Sequence, residues 1–206
     1  MKPLKLLVLF GGKSNEHEGS IESALHVLSY INLNQFCVHA IYIRPDGSFA
    51  LGEEMIKNLA YWLSLPDISP FPDSKIPPAD FLNRIEDFAL GTTMKVPKNS
   101  HFLTLALNQF YDLAFPIFHG LNGEDGTAQG FLDFLNIPYI GPSVLSSALC
   151  VDKEKAKQVC LASGLSVTPW VSFQSFFYQQ NPDLCFQKVE ENFAYPVFIK
   201  PASSGS

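Results

Sequence analysis

The sequence predicts an α/β fold built on a doubly wound, Rossmann-like parallel sheet, and three features predict it. Residues Leu4 to Phe10 form an apolar run with no polar alternation, as a parallel strand covered on both faces requires. A glycine loop, a stretch of helical periodicity and a second apolar strand follow, in the order strand, helix, strand. Further on, "DLAFPIFH" (112 to 119) repeats the first feature and again runs into a polar, glycine-rich loop.

The elements follow in order. Leu4 to Phe10 is the central strand, broken by Gly11 and Gly12. From about Glu18, Ile21, Ala24, Leu25, Leu28 and Ile31 recur at helical spacing, with Asn15 and Glu18 placed as a capping pair. Phe36 to Ile43 is the second strand, closed by the turn Pro45-Asp46-Gly47, so the opening is a βαβ unit with a right-handed crossover expected. Residues 64 to 100 carry six prolines and few periodic runs, and read as an irregular excursion. After the strand from Asp112 to His119, Ala128, Phe131, Leu132 and Leu135 mark a helix face. A strand near Ile137 to Ile140 and a helix from Ser143 through Leu149 come next. Asp152 then opens a further helix with Ala156, Val159 and Cys160 on one face, ended by Gly164 and Pro169. A strand-like "VSF" after Trp170, a helix over roughly Asp183 to Asn192 and the strand "PVFIK" complete the reading. The chain stops in the glycine and serine loop "PASSGS", so it reads as a piece of a longer protein.

Composition narrows the function. A chain of 206 residues that is 47% hydrophobic can bury a good core, which points to a globular protein of one or two domains. A formal charge of -6 and only 14 scattered basic residues argue against nucleic acid or an anionic membrane surface as a partner, because phosphate neutralisation needs clustered Lys and Arg. The N-terminal apolar run is too short for a secretory or membrane-spanning segment, which places the protein in the cytoplasm. Cys37, Cys150, Cys160 and Cys185 form no C-x-x-C pair and sit in apolar patterns, as ordinary buried thiols do rather than a disulfide framework or a zinc site.

The two glycine loops carry the chemistry. "FGGKSNEHEGS" sits where a loop between strand and helix usually holds phosphate, yet Glu16 and Glu18 would repel one. At the C-terminal edge of a central parallel strand, a carboxylate suits a cationic group such as a substrate ammonium. The ordinary alternative is that both glutamates favour the helix dipole. "FHGLNGEDGT" should open on the same sheet edge, turning His119, Glu124 and Asp125 to the same crevice. Otherwise His119 is a neutral histidine at a strand end, and Glu124 and Asp125 are a helix cap and first-turn pair. Lys153, Lys155 and Lys157 suit a solvated helix face, whereas Lys200 ends an apolar strand beside a flexible loop, a setting suited to nucleotide phosphates.

These stretches carry a resemblance. "FGGKSNEHEGS", the long run "FPIFHGLNGEDGTAQGFLDFLNIPYIGPSVLSSALCVDKEKAK" and "PVFIKPASSGS" resemble the N-terminal portion of the D-alanine:D-alanine ligases of the ATP-grasp superfamily, over most of the chain. The resemblance implies a pre-ATP-grasp domain over residues 1–140 and the start of an ATP-grasp domain over 141–206. It implies ATP-dependent joining of two D-alanines for peptidoglycan, through an acyl phosphate, with Mg²⁺ or Mn²⁺ and a homodimeric state. Glu16 would bind the ammonium of the first D-alanine, with Ser206 ordering that site as a catalytic partner, and His119 would lie near the substrate carboxylate. Lys153 and Lys200 would hold ATP phosphates, while Glu18, Ser20, Glu124 and Asp125 support the loops. The family's metal ligands lie in its C-terminal half, so none is assigned in this chain, and these 206 residues alone are expected not to turn over. Gly19 departs from the valine common in the family, and "PASSGS" is less charged than many family versions. Two rivals stand beside this reading: a related ligase with D-lactate or D-serine as acceptor, and a non-catalytic amino-acid-binding module.

Overall fold

The computed structural model describes residues 2–50 and 111–203. The proline-rich stretch from 64 to 100 and Ser206 lie outside the described residues. The remainder falls into two compact units, one running through Ala148 and the other beginning at Leu149.

In the first unit, β1 (Leu4–Gly11), β2 (Phe36–Ile43), β3 (Phe49–Ala50) and β4 (Leu113–Phe118) form a sheet of order β3-β2-β1-β4. Strand β1 pairs in parallel with both β2 and β4, so it is central as its uniform apolarity requires. The pleat turns alternate residues to opposite faces, and each face has its own core. Leu6, Val8, Phe10, Val38, Ala40 and Tyr42 pack on helix α1 (His17–Tyr30) through Ile21, Ala24, Leu25 and Leu28. Leu7, Leu9, Ile41 and Ala114 meet Leu132 of helix α2 (Thr127–Phe134) on the other face. Helices on both faces of a mainly parallel sheet make the doubly wound arrangement. Burying a side chain such as Leu25 completely contributes roughly 1.5–3 kcal/mol.

Three local expectations are corrected here, and a fourth, the turn after β2, is borne out and extended. Asn15 does not cap α1: the Glu16 N–H donates to Ser14 Oγ at 3.1 Å, and the helix begins at His17 with no side-chain cap from Glu16. The turn at Pro45 to Gly47 returns the chain as the short strand β3, antiparallel to β2, which periodicity over two residues cannot reveal. The strand expected at Ile137 to Ile140 is a single parallel bridge, Ala114 to Tyr139. Ala114 donates to Pro138 O at 2.8 Å and its carbonyl accepts from Ile140 N at 2.9 Å. The next donor along β4 on that side belongs to position 116, a proline without an N–H, so the ladder ends there. Of the four cysteines, all of them free thiols, only Cys185 is buried; Cys150 is exposed, and Cys37 and Cys160 are intermediate.

After helix α3 (Val144–Val151), the second unit holds α4 (Lys153–Ala162), α5 (Ser175–Gln180) and α6 (Pro182–Asn192). Asp152 caps α4 as expected, accepting from Glu154 N and Lys155 N, each at 3.0 Å. A Schellman motif ends it: Leu165 N donates to Cys160 O and Gly164 N to Leu161 O. Pro182 stands at the start of α6, where its missing N–H costs nothing. "VSF" and "PVFIK" are not strands; Phe198 and Ile199 are more than nine-tenths exposed, and no described segment pairs with either run. A strand needs a neighbour to satisfy its backbone, and apolar composition alone does not supply one. No helix among the described residues is long and apolar enough to cross a membrane.

Two outcomes follow from this packing. An added Cβ at Gly19 meets no atom within 4 Å, so Gly19→Ala should raise the stability of the folded protein by about 0.5–1 kcal/mol, read as a higher urea midpoint. His39 Nδ1 and the Tyr111 hydroxyl share a hydrogen bond, and burial holds the His39 imidazole below the ordinary value of 6.5 while pushing the Tyr111 phenol above its own. Below about pH 6.5 the unfolded chain takes up a proton that folded His39 refuses. The stability from neutral His39 is therefore complete above that pH and lost as pH falls towards the folded value. His39→Gln should flatten the fall in urea midpoint between about pH 7 and pH 5 relative to wild type.

Candidate active site

The two glycine loops leave the same edge of the sheet from neighbouring strands. Gly11 lies opposite Phe118 in the parallel register of β1 with β4, so the loop after Gly11 and the loop after Phe118 start side by side. Gly11 has φ +89°, and a Cβ there would fall inside the contact distance of the Ile43 carbonyl oxygen; only glycine passes between the strand ends.

Buried serines join these pieces. Ser20, fully buried in the second turn of α1, accepts from Gly11 N at 2.8 Å and donates to Ile117 O, linking helix, β1 and β4. Ser14 accepts from Glu16 N and donates to His119 O at 2.5 Å, tying the first loop to the second. The His119 ring is held from α1, with Nε2 at 2.9 Å from Ser23 Oγ. Gly120, at φ +71°, leaves little room for a side chain: a Cβ would stand 3.1 Å from Glu16 Oε1 and 3.3 Å from Ser14 Oγ, so those side chains would have to give way. The Glu16 carboxylate thus packs on the Gly120 backbone, next to the residue that carries His119.

The flanking groups hold the loops. Buried His17 lies 2.6 Å from Gly12 O through Nδ1 and 2.9 Å from Tyr42 Oη through Nε2. A carbonyl can only accept, so Nδ1 carries the proton, and a neutral ring then accepts from the tyrosine hydroxyl. Asp125 accepts from Asn122 N at 2.8 Å and Thr127 N at 2.9 Å, bracing the second loop at the start of α2. Partial burial pushes its carboxyl up, but the bonds from Thr127 and Asn122 outweigh this and hold it below its ordinary value. Glu18 is exposed in the first turn of α1, and Glu124 is half-buried, its backbone N–H donating to Gly120 O at 2.9 Å.

The predicted phosphate lysines lie in the second unit. Lys153 N donates to Ala202 O at 2.8 Å, which sets the start of α4 against the segment that holds Lys200. The exposed Lys200 is two residues before that contact. Lys157 is engaged elsewhere, donating to Thr168 O and Oγ1 at 3.0 Å with its ammonium over Trp170. A hollow beside α5 and α6, lined by Phe173, Phe177, Leu184 and Lys188 among others, contains none of the residues singled out from sequence.

Sequence reasoning passed over Ser14, Ser23, His17 and Gly120. Ser20 and Ser23 stand three apart on one face of the helix, and that spacing was the available sign of polar partners awaiting them.

Family models match most of the chain. Residues 5–142 match the model for the D-ala D-ala ligase N-terminus, and residues 159–206 match that for the D-ala D-ala ligase C-terminus. The chain belongs to the D-alanine–D-alanine ligase family. It is 34% identical to the D-alanine--D-alanine ligase of Geobacillus kaustophilus over 98% of this chain and 51% of that protein. With the Caldicellulosiruptor bescii enzyme of the same name the figures are 37%, 100% and 52%. The chain thus spans about half the length of the curated relatives it matches. The crystal structure of VanG D-Ala:D-Ser ligase from Enterococcus faecalis superposes with a TM-score of 0.66 at 33% identity, covering all of this chain and 54% of that one. The D-alanine-D-alanine ligase structure from Helicobacter pylori, at 24% identity and a TM-score of 0.65, shares the fold over 98% of this chain and 54% of its own.

The acidic opening loop makes a definite structural demand at Gly120. Gly120→Ala should cost about 1–2 kcal/mol through its left-handed backbone and displace Glu16. Urea unfolding checks the first, and shifted Ser14 and Glu16 amide resonances the second.

Proposed function

We propose that the protein carrying this chain is an ATP-dependent D-alanine:D-alanine ligase that makes D-alanyl-D-alanine for peptidoglycan in the cytoplasm. The observation that carries the reading is the Glu16 carboxylate packed on Gly120 beside His119, on the edge of the sheet where open α/β folds bind ligands. A carboxylate packed on the loop that also carries an imidazole suits a zwitterionic amino acid: in this reading Glu16 takes the ammonium and His119 meets the carboxylate. Ser20 and Asp125 hold the two loops for this task, with Glu18 favouring the helix dipole and Glu124 lying within the second loop. Lys153 and Lys200, brought to one segment by the Lys153 N–H to Ala202 contact, suit the phosphates of ATP. Ser206 completes the donor site in this proposal. The domain division at residue 140 belongs to the same reading.

A carboxylate is a poor electrophile. In the proposed reaction, a carboxylate oxygen of the first D-alanine attacks the γ-phosphorus of ATP and ADP leaves, giving an acyl phosphate. The amine of the second D-alanine then attacks the acyl carbon, inorganic phosphate leaves, and the amine's surplus proton is lost. What this chain contributes is position and charge: Glu16 fixes the donor's ammonium so that its carboxylate faces the nucleotide, and the lysines offset phosphate charge. Among the described residues no three His, Cys, Asp or Glu side chains converge on a metal site. D-serine as acceptor is the second reading, favoured by the likeness to VanG D-Ala:D-Ser ligase.

The test is phosphate release from ATP by the full-length protein with Mg²⁺, comparing D-alanine, L-alanine, D-alanine plus D-serine, and no amino acid. D-alanine-dependent release with formation of the dipeptide is expected, and Glu16→Gln should raise the KM for D-alanine on the order of tenfold or more. An unchanged KM in that variant sinks the assignment of the opening loop. D-alanine binding without phosphate release favours a non-catalytic module.

A further inference from the structure

Ser23 is unusual for a helical serine. Such a hydroxyl ordinarily turns back to the carbonyl four residues earlier or to water. Ser23 Oγ instead reaches across to the loop that leaves β4 and lies 2.9 Å from His119 Nε2, its only hydrogen bond among the described residues. The contact is anchored on both sides. One turn earlier on α1, Ser20 is bonded to Gly11 N and Ile117 O, which fixes the helix to the strand two residues before His119. The His119 backbone is itself held by Ser14 Oγ at its carbonyl. With backbone and Nε2 both engaged, Nδ1 is the ring nitrogen without a hydrogen bond among the described residues.

We propose that Ser23 is a positioning residue: its hydroxyl donates to His119 Nε2 and keeps the neutral imidazole in the form protonated on Nδ1. A neutral imidazole has one donor nitrogen and one acceptor, and a ligand carboxylate can only accept. If Nε2 carried the proton, the open nitrogen would present a lone pair to that carboxylate and repel it. A hydroxyl can donate or accept, so Ser23 is able to take the donor's part and leave Nδ1–H for the ligand. The inference rests on the reading of this crevice as an amino-acid site. Its structural half, the proton's position, is measurable without any ligand.

The experiment uses the full-length protein as wild type, Ser23→Ala and Ser23→Thr. Imidazole ¹⁵N shifts of His119 report which nitrogen is protonated, and calorimetry reports D-alanine affinity. In the wild type Nδ1 should carry the proton. Ser23→Ala should lose that preference and weaken D-alanine binding about tenfold, the scale of one hydrogen bond to a charged group, and Ser23→Thr should restore both. A proton on Nε2 in the wild type, or an Ala variant with unchanged tautomer and affinity, overturns the role of Ser23 and leaves the amino-acid reading standing. A proton preference that depends on Ser23 with no D-alanine binding in the wild type does the reverse: the positioning contact holds and the substrate assignment fails.

Discussion

The hydroxyl of Ser20 is the point on which the first unit's site depends. Where β1 ends, Gly11 turns out of the strand with a buried N–H that needs an acceptor, and β4 presents the Ile117 carbonyl beside it. One buried hydroxyl serves both, and by doing so locks the start of α1 to the two strands from which the loops leave. An apolar residue here would leave a donor and an acceptor unsatisfied in the core. The placement of Ser14, Glu16, Ser23 and His119 all follows from that anchored turn, since each is on or beside the helix it fixes or the strand it holds.

In the proposed reading, the two units divide the chemistry by charge. A loop at the start of a helix offers N–H groups and a positive dipole end, which in many α/β proteins attract phosphate. The first unit spends that position on carboxylates: Glu16 is braced against Gly120, and Asp125 is held ionised by the amides it accepts. A crevice of this sign repels an anion and suits an ammonium. The lysines assigned to phosphate lie instead in the second unit, where a backbone bond sets the start of α4 against the segment after Lys200. The chain belongs to the D-alanine–D-alanine ligase family and spans about half of its curated relatives' length.

Much of the fold was legible because period and composition reflect burial directly. Leu4 to Phe10 had to be central, since only a strand paired on both edges and covered on both faces is apolar throughout. Helices α1, α2, α4 and α6 were legible from apolar spacing and from local stops such as Asp152 and Gly164, whose effects act within a turn. The misses among the strands share one cause. "PVFIK" and "VSF" have strand composition but no described partner, and Ile137 to Ile140 lost its ladder to Pro116, a residue distant in sequence. Pairing is a property of two segments, and a single sequence displays only one of them at a time.

The site divides in the same way. The sequence by itself determined that two acidic glycine loops follow buried strands, and the motif resemblance singled out Glu16, His119, Lys153 and Lys200, because strand order and loop chemistry are local. Only the tertiary structure decided that Ser14 joins the loops, that Ser23 holds the His119 ring, and that Gly120 makes room for the Glu16 carboxylate. Those contacts span up to 105 residues, as between Ser14 and His119, and a hydroxyl carries no sign in sequence of which distant acceptor it will meet. Register and packing fix that choice, because they alone bring the two groups within the short reach of a hydrogen bond.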